Sequence, residues 1–132
     1  MCEHTRIRGR LRAQSLVEMA FVLPLLILAG AGVVQFSLWM HAEGIVTAAA
    51  QDGARVATRE SGTLEQGTAA AQSLLRDGLG PNAASVHLAA SEDASGVRFE
   101  VSGTLPAMLQ WGPGATIPLH ARASMARNIF VP

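Results

Sequence analysis

From Met19 to Met40 the chain carries no Lys, Arg, Asp or Glu, and this uncharged run constrains the fold more than any other feature. Its 22 residues, at about 1.5 Å each, make a helix of about 33 Å, enough to cross a hydrocarbon core of about 30 Å. Gln35 and Ser37 are the strongly polar side chains inside it, while Leu16, Phe21, Leu23, Leu25, Leu26, Ile27, Leu28, Val33, Val34, Phe36 and Leu38 place apolar surface on all sides. The alternative is a buried helix of a soluble core, but apolar runs beyond about 18 residues rarely serve a small soluble core. The sequence therefore predicts a membrane span. Pro24 near its start loses one amide donor close to the first turns, where a kink costs little. Ala29, Gly30, Ala31 and Gly32 form a small-residue patch without a clean small-xxx-small repeat.

The net charge of zero conceals a polarised chain. All ten basic residues are Arg, and Arg6, Arg8, Arg10 and Arg12 crowd the first twelve positions with Glu3 as the only acid there. Only Arg55 and Arg59 follow within about 20 residues of the span, so the positive-inside rule puts the N-terminus in the cytoplasm and the rest of the chain outside. Residues 1–13 read as a basic leader without structure of its own. Cys2 is the single cysteine and falls in that leader, so the exported part forms no internal disulfide. Trp39 and His41 mark the outer boundary, where amphipathic rings suit the headgroup level.

Helical periodicity continues past the span. Ala42, Ile45, Val46, Ala49, Gly53, Val56 and Ala57 recur at spacings of three and four, and Glu43, Asp52, Arg55 and Arg59 take the other side. Span and extension are expected to be one helix with a small inner face of Ala48, Ala49, Ala50, Gly53, Ala54 and Ala57, ending at Ser61-Gly62 with Gly62 in a left-handed C′ position. Thr63-x-x-Gln66 is a capping-box pattern opening a second helix with Leu64, Ala71, Leu74, Leu75 and Leu79 at helical spacing, closed by Gly78, Gly80 and Pro81.

The period then falls to two. Val86 and Leu88, then Val97, Phe99, Val101 and Leu105, then Ile117, Leu119, Ala121, Ala123 and Met125 alternate with polar residues. Ser91 to Gly96 has hairpin-loop chemistry, and Trp111, Gly112, Pro113 and Gly114 lie in a second loop. Pro118 cannot donate to a ladder, so the third strand is either an edge or begins after it. The expected class is α+β: a long N-terminal helix, a short second helix and a small antiparallel sheet over residues 84–126 whose apolar face, Val86, Leu88, Phe99, Val101, Ile117 and Leu119, covers the first helix at Ile45, Ala49 and Val56. The expected division is 1–13, 14–60 and 61–132.

No catalytic or metal constellation emerges. His41, His87 and His120 are scattered, no His-x-x-x-His pair occurs, and His87 and His120 fall on outward strand positions. Neither a cofactor nor an enzymatic activity is expected. Without residues 1–13, six Arg face nine acids, a net charge of −3 that argues against nucleic acid.

Glu18 requires an explanation, because a carboxylate near the centre of a membrane helix costs about 2.5 to 3.5 kcal/mol and less toward the interface. Taken alone it is an interfacial acid near Arg12. Four basic residues, a small residue at Ala13, then Gln14-Ser15-Leu16-Val17-Glu18 and a long apolar helix resemble a type IV prepilin signal. Val17-Glu18-Met19-Ala20-Phe21-Val22-Leu23-Pro24 and Ala49-Ala50-Gln51-Asp52-Gly53-Ala54-Arg55-Val56-Ala57 narrow the resemblance to the TadE-like family, pseudopilins of the tight-adherence (Flp) pilus system. The closing strand around Ala121 to Arg127 resembles that family more loosely.

The resemblance implies a pilin-like fold, a bacterial inner-membrane location with a periplasmic C-terminal domain, and pilus subunits, assembly machinery and prepilin peptidase as partners. It also implies that Ala13 and Gln14 flank the processing site, that Glu18 is the fifth mature residue, and that Gly53, Ala54 and Arg55 are a helix motif. Ala13 stands where the family usually has Gly, and Met19 where an aromatic commonly follows the acid. Two other readings stay open: a secreted binding domain released by signal peptidase after Ala29-Gly30-Ala31, and an uncleaved bitopic scaffold.

Overall fold

A computed structural model describes residues 3–107 and 114–126, with the backbone alone over 3–14. The elements run α1 (Glu3–Ala57), α2 (Leu64–Leu79), a 3-10 turn η1 (Gly80–Ser85), β1 (Val86–Asp93), β2 (Gly96–Pro106) and β3 (Thr116–Met125). The α+β expectation of a long helix, a short helix and a three-stranded antiparallel sheet is met. The chain forms two compact units, residues 1–36 and 37–132.

In the first unit the backbone is helical from Glu3, which corrects the expectation of an unstructured leader. Arg, Leu and Ala are good helix formers, no proline precedes Pro24, and adding turns to an existing helix avoids the costly nucleation step. Cys2 lies outside the described residues. From Leu16 to Phe36 the large apolar side chains are exposed, from Leu28 at 45% to Phe21 at 77%.

The second unit holds the core. On α1 its buried positions are Ala42, Val46, Ala49, Ala50, Ala54 and Ala57, with buried Gly53 completing a stripe at spacings of four, three and one. Ala48 is exposed and Ile45 and Val56 are half-buried, so the inner face is rotated slightly from the one read in the sequence. Trp39 also packs against this core, a role beyond marking a membrane boundary.

The helix stops at Ala57, earlier than Ser61-Gly62. The Thr58 hydroxyl donates to the Ala54 carbonyl at 2.9 Å, and the Gly62 amide bonds the Arg59 carbonyl at 2.8 Å, tightening the chain into a turn. Gly62 does not take the left-handed conformation expected of it. It is required for space, because a Cβ there would stand 2.2 Å from the Val56 carbonyl oxygen.

The capping box is formed as read. The Gln66 amide donates to Thr63 Oγ1 at 3.2 Å, and Thr63 N–H donates to Gln66 Oε1 at 3.3 Å, satisfying two donors that the first helical turn leaves unpaired. Gly67, Ala71, Leu75 and Leu79 form the buried stripe of α2. Gly80 ends it at φ 55°, a conformation that favours glycine.

The strands order β1-β2-β3, all antiparallel. Val97, Phe99 and Val101 of β2 and Leu119 and Ala121 of β3 are buried, while Val86, Leu88 and Leu105 are half-buried, and Ile117 is half-buried too. The first hairpin is tighter than read: β1 runs through Ser91 and Glu92 to Asp93, which pairs with Gly96. Pro118 lies inside β3 opposite Thr104, tolerated because β3 is an edge strand. Trp111, Gly112, Pro113 and Arg127 lie outside the described residues.

Candidate functional site

Two stretches of α1 carry the candidate residues. In the first, Glu18 is exposed beside Val17 at 58% and Met19 at 68% exposure, one carboxylate on an otherwise apolar surface. Arg6, Arg8, Arg10, Arg12, Ala13 and Gln14 all lie on the helix backbone. With 1.5 Å per residue and about 3.6 residues per turn, Glu18 stands about one turn beyond Gln14. Added Cβ atoms at Gly30 and Gly32 would meet nothing within 4 Å, so their small surface is open. The helix from Ser15 is long and apolar enough to cross a membrane.

The second stretch is Gly53, Ala54 and Arg55. Gly53 and Ala54 are buried and Arg55 is exposed. A Cβ on Gly67 would stand 2.5 Å from the Gly53 carbonyl oxygen and 3.0 Å from Cζ of Phe99. The two helices therefore approach backbone to backbone, with the Phe99 ring filling the gap from the sheet. Only glycine at both positions permits that approach, which makes this part of the motif a packing device. Gly67 was missed in the sequence, although its spacing of four from Ala71 and Leu75 places it on the inner stripe.

The remaining polar groups form local structure. His87 and His120 are exposed on the outer sheet face, each paired in register with Ser102. Arg122 Nη2 donates to Glu100 Oε1 at 3.0 Å, with His120 Nε2 at 3.7 Å from the same oxygen. Such exposed pairs contribute about 0 to 1 kcal/mol. The Asp93 carboxylate accepts from the Ser95 hydroxyl, from the Ser95 amide at 2.9 Å and from the Gly96 amide at 3.1 Å. These bonds favour the charged form, Ser95 most, and hold its pKa below 3.8. Among the described residues no group of three or more His, Cys, Asp or Glu is placed to hold a metal ion.

Against this geometry, residues 13–55 match a protein-family model described as TadE-like protein. Over these residues the chain is similar to the TadE-like family. The matched stretch contains Ala13, Gln14, Glu18, Gly53, Ala54 and Arg55, and ends before the closing strand to which the sequence reading loosely extended the resemblance. No curated protein and no solved structure matches the chain. The match and the long apolar helix together support membrane association.

Proposed function

We propose that the chain is a non-enzymatic pseudopilin, or minor pilin-like subunit, of a tight-adherence pilus assembly system. The observation that carries this reading is the TadE-like match over 13–55, on a helix whose large apolar side chains are exposed from Leu16 to Phe36. In this reading Arg6, Arg8, Arg10 and Arg12 hold the N-terminus in the cytoplasm of a bacterium, the helix spans the inner membrane, and the second unit lies in the periplasm. Prepilin peptidase cuts between Ala13 and Gln14. Apolar helices of neighbouring subunits then bundle, and Glu18 meets the new α-amino group of a neighbour, an attraction strengthened by the low dielectric around it.

N-terminal mass analysis of the membrane-extracted protein tests this reading. A start at Gln14 supports it, a start at Gly32 points to release by signal peptidase, and an intact leader points to an uncleaved scaffold.

A further inference from the structure

The two edges of the sheet are chemically unequal. β3 bounds one edge and carries Pro118, which has no N–H, and the charged Arg122; both discourage pairing with another strand. β1 bounds the other edge, with neither a proline nor an Asp, Glu, Lys or Arg from Val86 to Ser91. Alternate residues of an antiparallel edge strand turn their N–H and C=O groups away from the ladder, leaving a row of polar groups suited to another extended backbone. Among the described residues β2 is the only strand paired with β1.

Beside this edge, α2 and η1 shape an open groove of about 490 Å³ lined in part by Leu75, Arg76, Pro81, Val86, His87 and Leu88. Its apolar floor is buried Leu75 with half-buried Val86 and Leu88. The wall is fixed: Ser85 Oγ lies 2.7 Å from the Asn82 carbonyl oxygen and 2.6 Å from that of Thr104, tying η1 to β2. Among the described residues no carboxylate lines the groove, and the permanent charge they bring to it is the Arg76 guanidinium, which is exposed on α2. A strand edge, a facing helix and apolar pockets between them provide what strand addition requires, with main-chain bonds giving affinity and alternate side chains giving selectivity.

We propose that this groove binds an extended segment of a partner polypeptide, which adds as a fourth strand beside Val86 to Ser91 and sets an acidic side chain on Arg76. Six residues of β1 offer about 20 Å of edge, and side chains of the added strand that face inward meet Leu75, Val86 and Leu88. The charge of the groove selects an acid, and the outward N–H and C=O groups select an extended backbone. The proposal rests on residues 72–91, outside the TadE-like stretch, and stands whether or not the N-terminus is processed.

The test uses the full chain in phosphatidylcholine nanodiscs and blocked hexapeptides of alternating Val and Thr, with Glu placed at one end or the other, and the matching Lys peptides. One Glu peptide is expected to bind saturably, to slow hydrogen exchange of amides within residues 86–91, and to bind about fivefold tighter than its Lys analogue, the upper range for one exposed ion pair. Arg76→Glu should reverse that preference, and Arg76→Gln, which removes the charge without placing an acid in the last turn of α2, should abolish it. Equal binding of Glu and Lys peptides, protection confined to other strands, or no saturable binding overturns the proposal. So does protection of β1 by self-association without peptide, which would make a second copy the occupant.

Discussion

A Cβ placed on Gly53 would stand 2.9 Å from Cε1 of Phe99, so the fully buried ring and the bare helix backbone define one another. Phe99→Ala is expected to cost about 3 to 5 kcal/mol by leaving a cavity between the helices and the sheet. Gly53→Ala should also destabilise, because overpacking costs about 1 to 3 kcal/mol against a helix-propensity gain of up to about 1 kcal/mol. In a Phe99→Leu background the Gly53→Ala cost should shrink, since the smaller side chain leaves room. Urea unfolding of the four variants, followed by tryptophan fluorescence, forms a double-mutant cycle. Additive costs would show that the ring and the glycine are not coupled.

Gly67→Ala and Gly44→Ala should move stability in opposite directions. At Gly67 the obstructing atom is the Gly53 carbonyl oxygen, and a backbone cannot rotate aside as a flexible side chain can. At Gly44, within α1, an added Cβ meets nothing within 4 Å, leaving the gain of up to about 1 kcal/mol from replacing a mid-helix glycine. Comparison of their melting temperatures checks the sign of each.

Thr63→Ala removes the side-chain acceptor of the capping box and should cost about 0.5 to 2 kcal/mol. Gln66→Ala should cost less in that background than alone, because its side-chain bond is to the Thr63 amide and depends on the same cap geometry. Hydrogen exchange at the Gln66 amide reads the loss directly.

Asp93 gives the first hairpin a pH dependence. Its pKa in the folded chain is lowered from 3.8, foremost by the Ser95 hydroxyl, so the folded state favours the carboxylate more than the unfolded chain does. The resulting stabilisation is fully present above the unfolded value and is lost as pH falls through the lower folded value. Asp93→Asn should flatten that part of the stability profile while the parent weakens below about pH 4. Thermal melts of both proteins between pH 2 and 6 compare the slopes.

Local chemistry made much of the second unit legible in the sequence. Thr63 and Gln66 announce a helix start by reciprocal bonds three residues apart, and Val97, Phe99 and Val101 announce a strand by their period. Ser61-Gly62 resembles a helix stop, whereas α1 ends at Ala57, where the Arg59 and Gly62 amides turn to carbonyls three residues back, and Gly62 serves a close approach to Val56. The hairpin was read too long because Ser91, Glu92 and Asp93 are turn-prone, yet pairing with β2 extends the strand to Asp93. In the candidate site, Glu18 stands out as one acid in an apolar run. The fit of Gly53 to Gly67 and Phe99, and the groove beside Arg76, arise from elements brought together only by the tertiary fold, so no local spacing announces them.

The roles of Glu18 and of the Ala13–Gln14 junction should separate by mutation. The bond that the proposed processing would cut, Ala13–Gln14, lies outside the apolar run, whereas Glu18 lies four residues beyond Gln14, about one helical turn further in, where a carboxylate needs a cationic partner. A large residue at position 13, as in Ala13→Trp, should therefore block the cut and leave the basic leader attached. Glu18→Leu should insert normally, since it removes an unfavourable charge, and should still be cleaved, yet associate poorly with pilus partners because the proposed contact with a neighbour's α-amino group is gone. Glu18→Asp keeps the charge on a shorter side chain and should restore part of the association. Cleavage by mass analysis and association by co-purification are scored in the same membranes for all three variants. Co-purification of Glu18→Leu at the parent level would leave Glu18 as an interfacial anchor paired with the leader arginines, and would remove it from subunit recruitment.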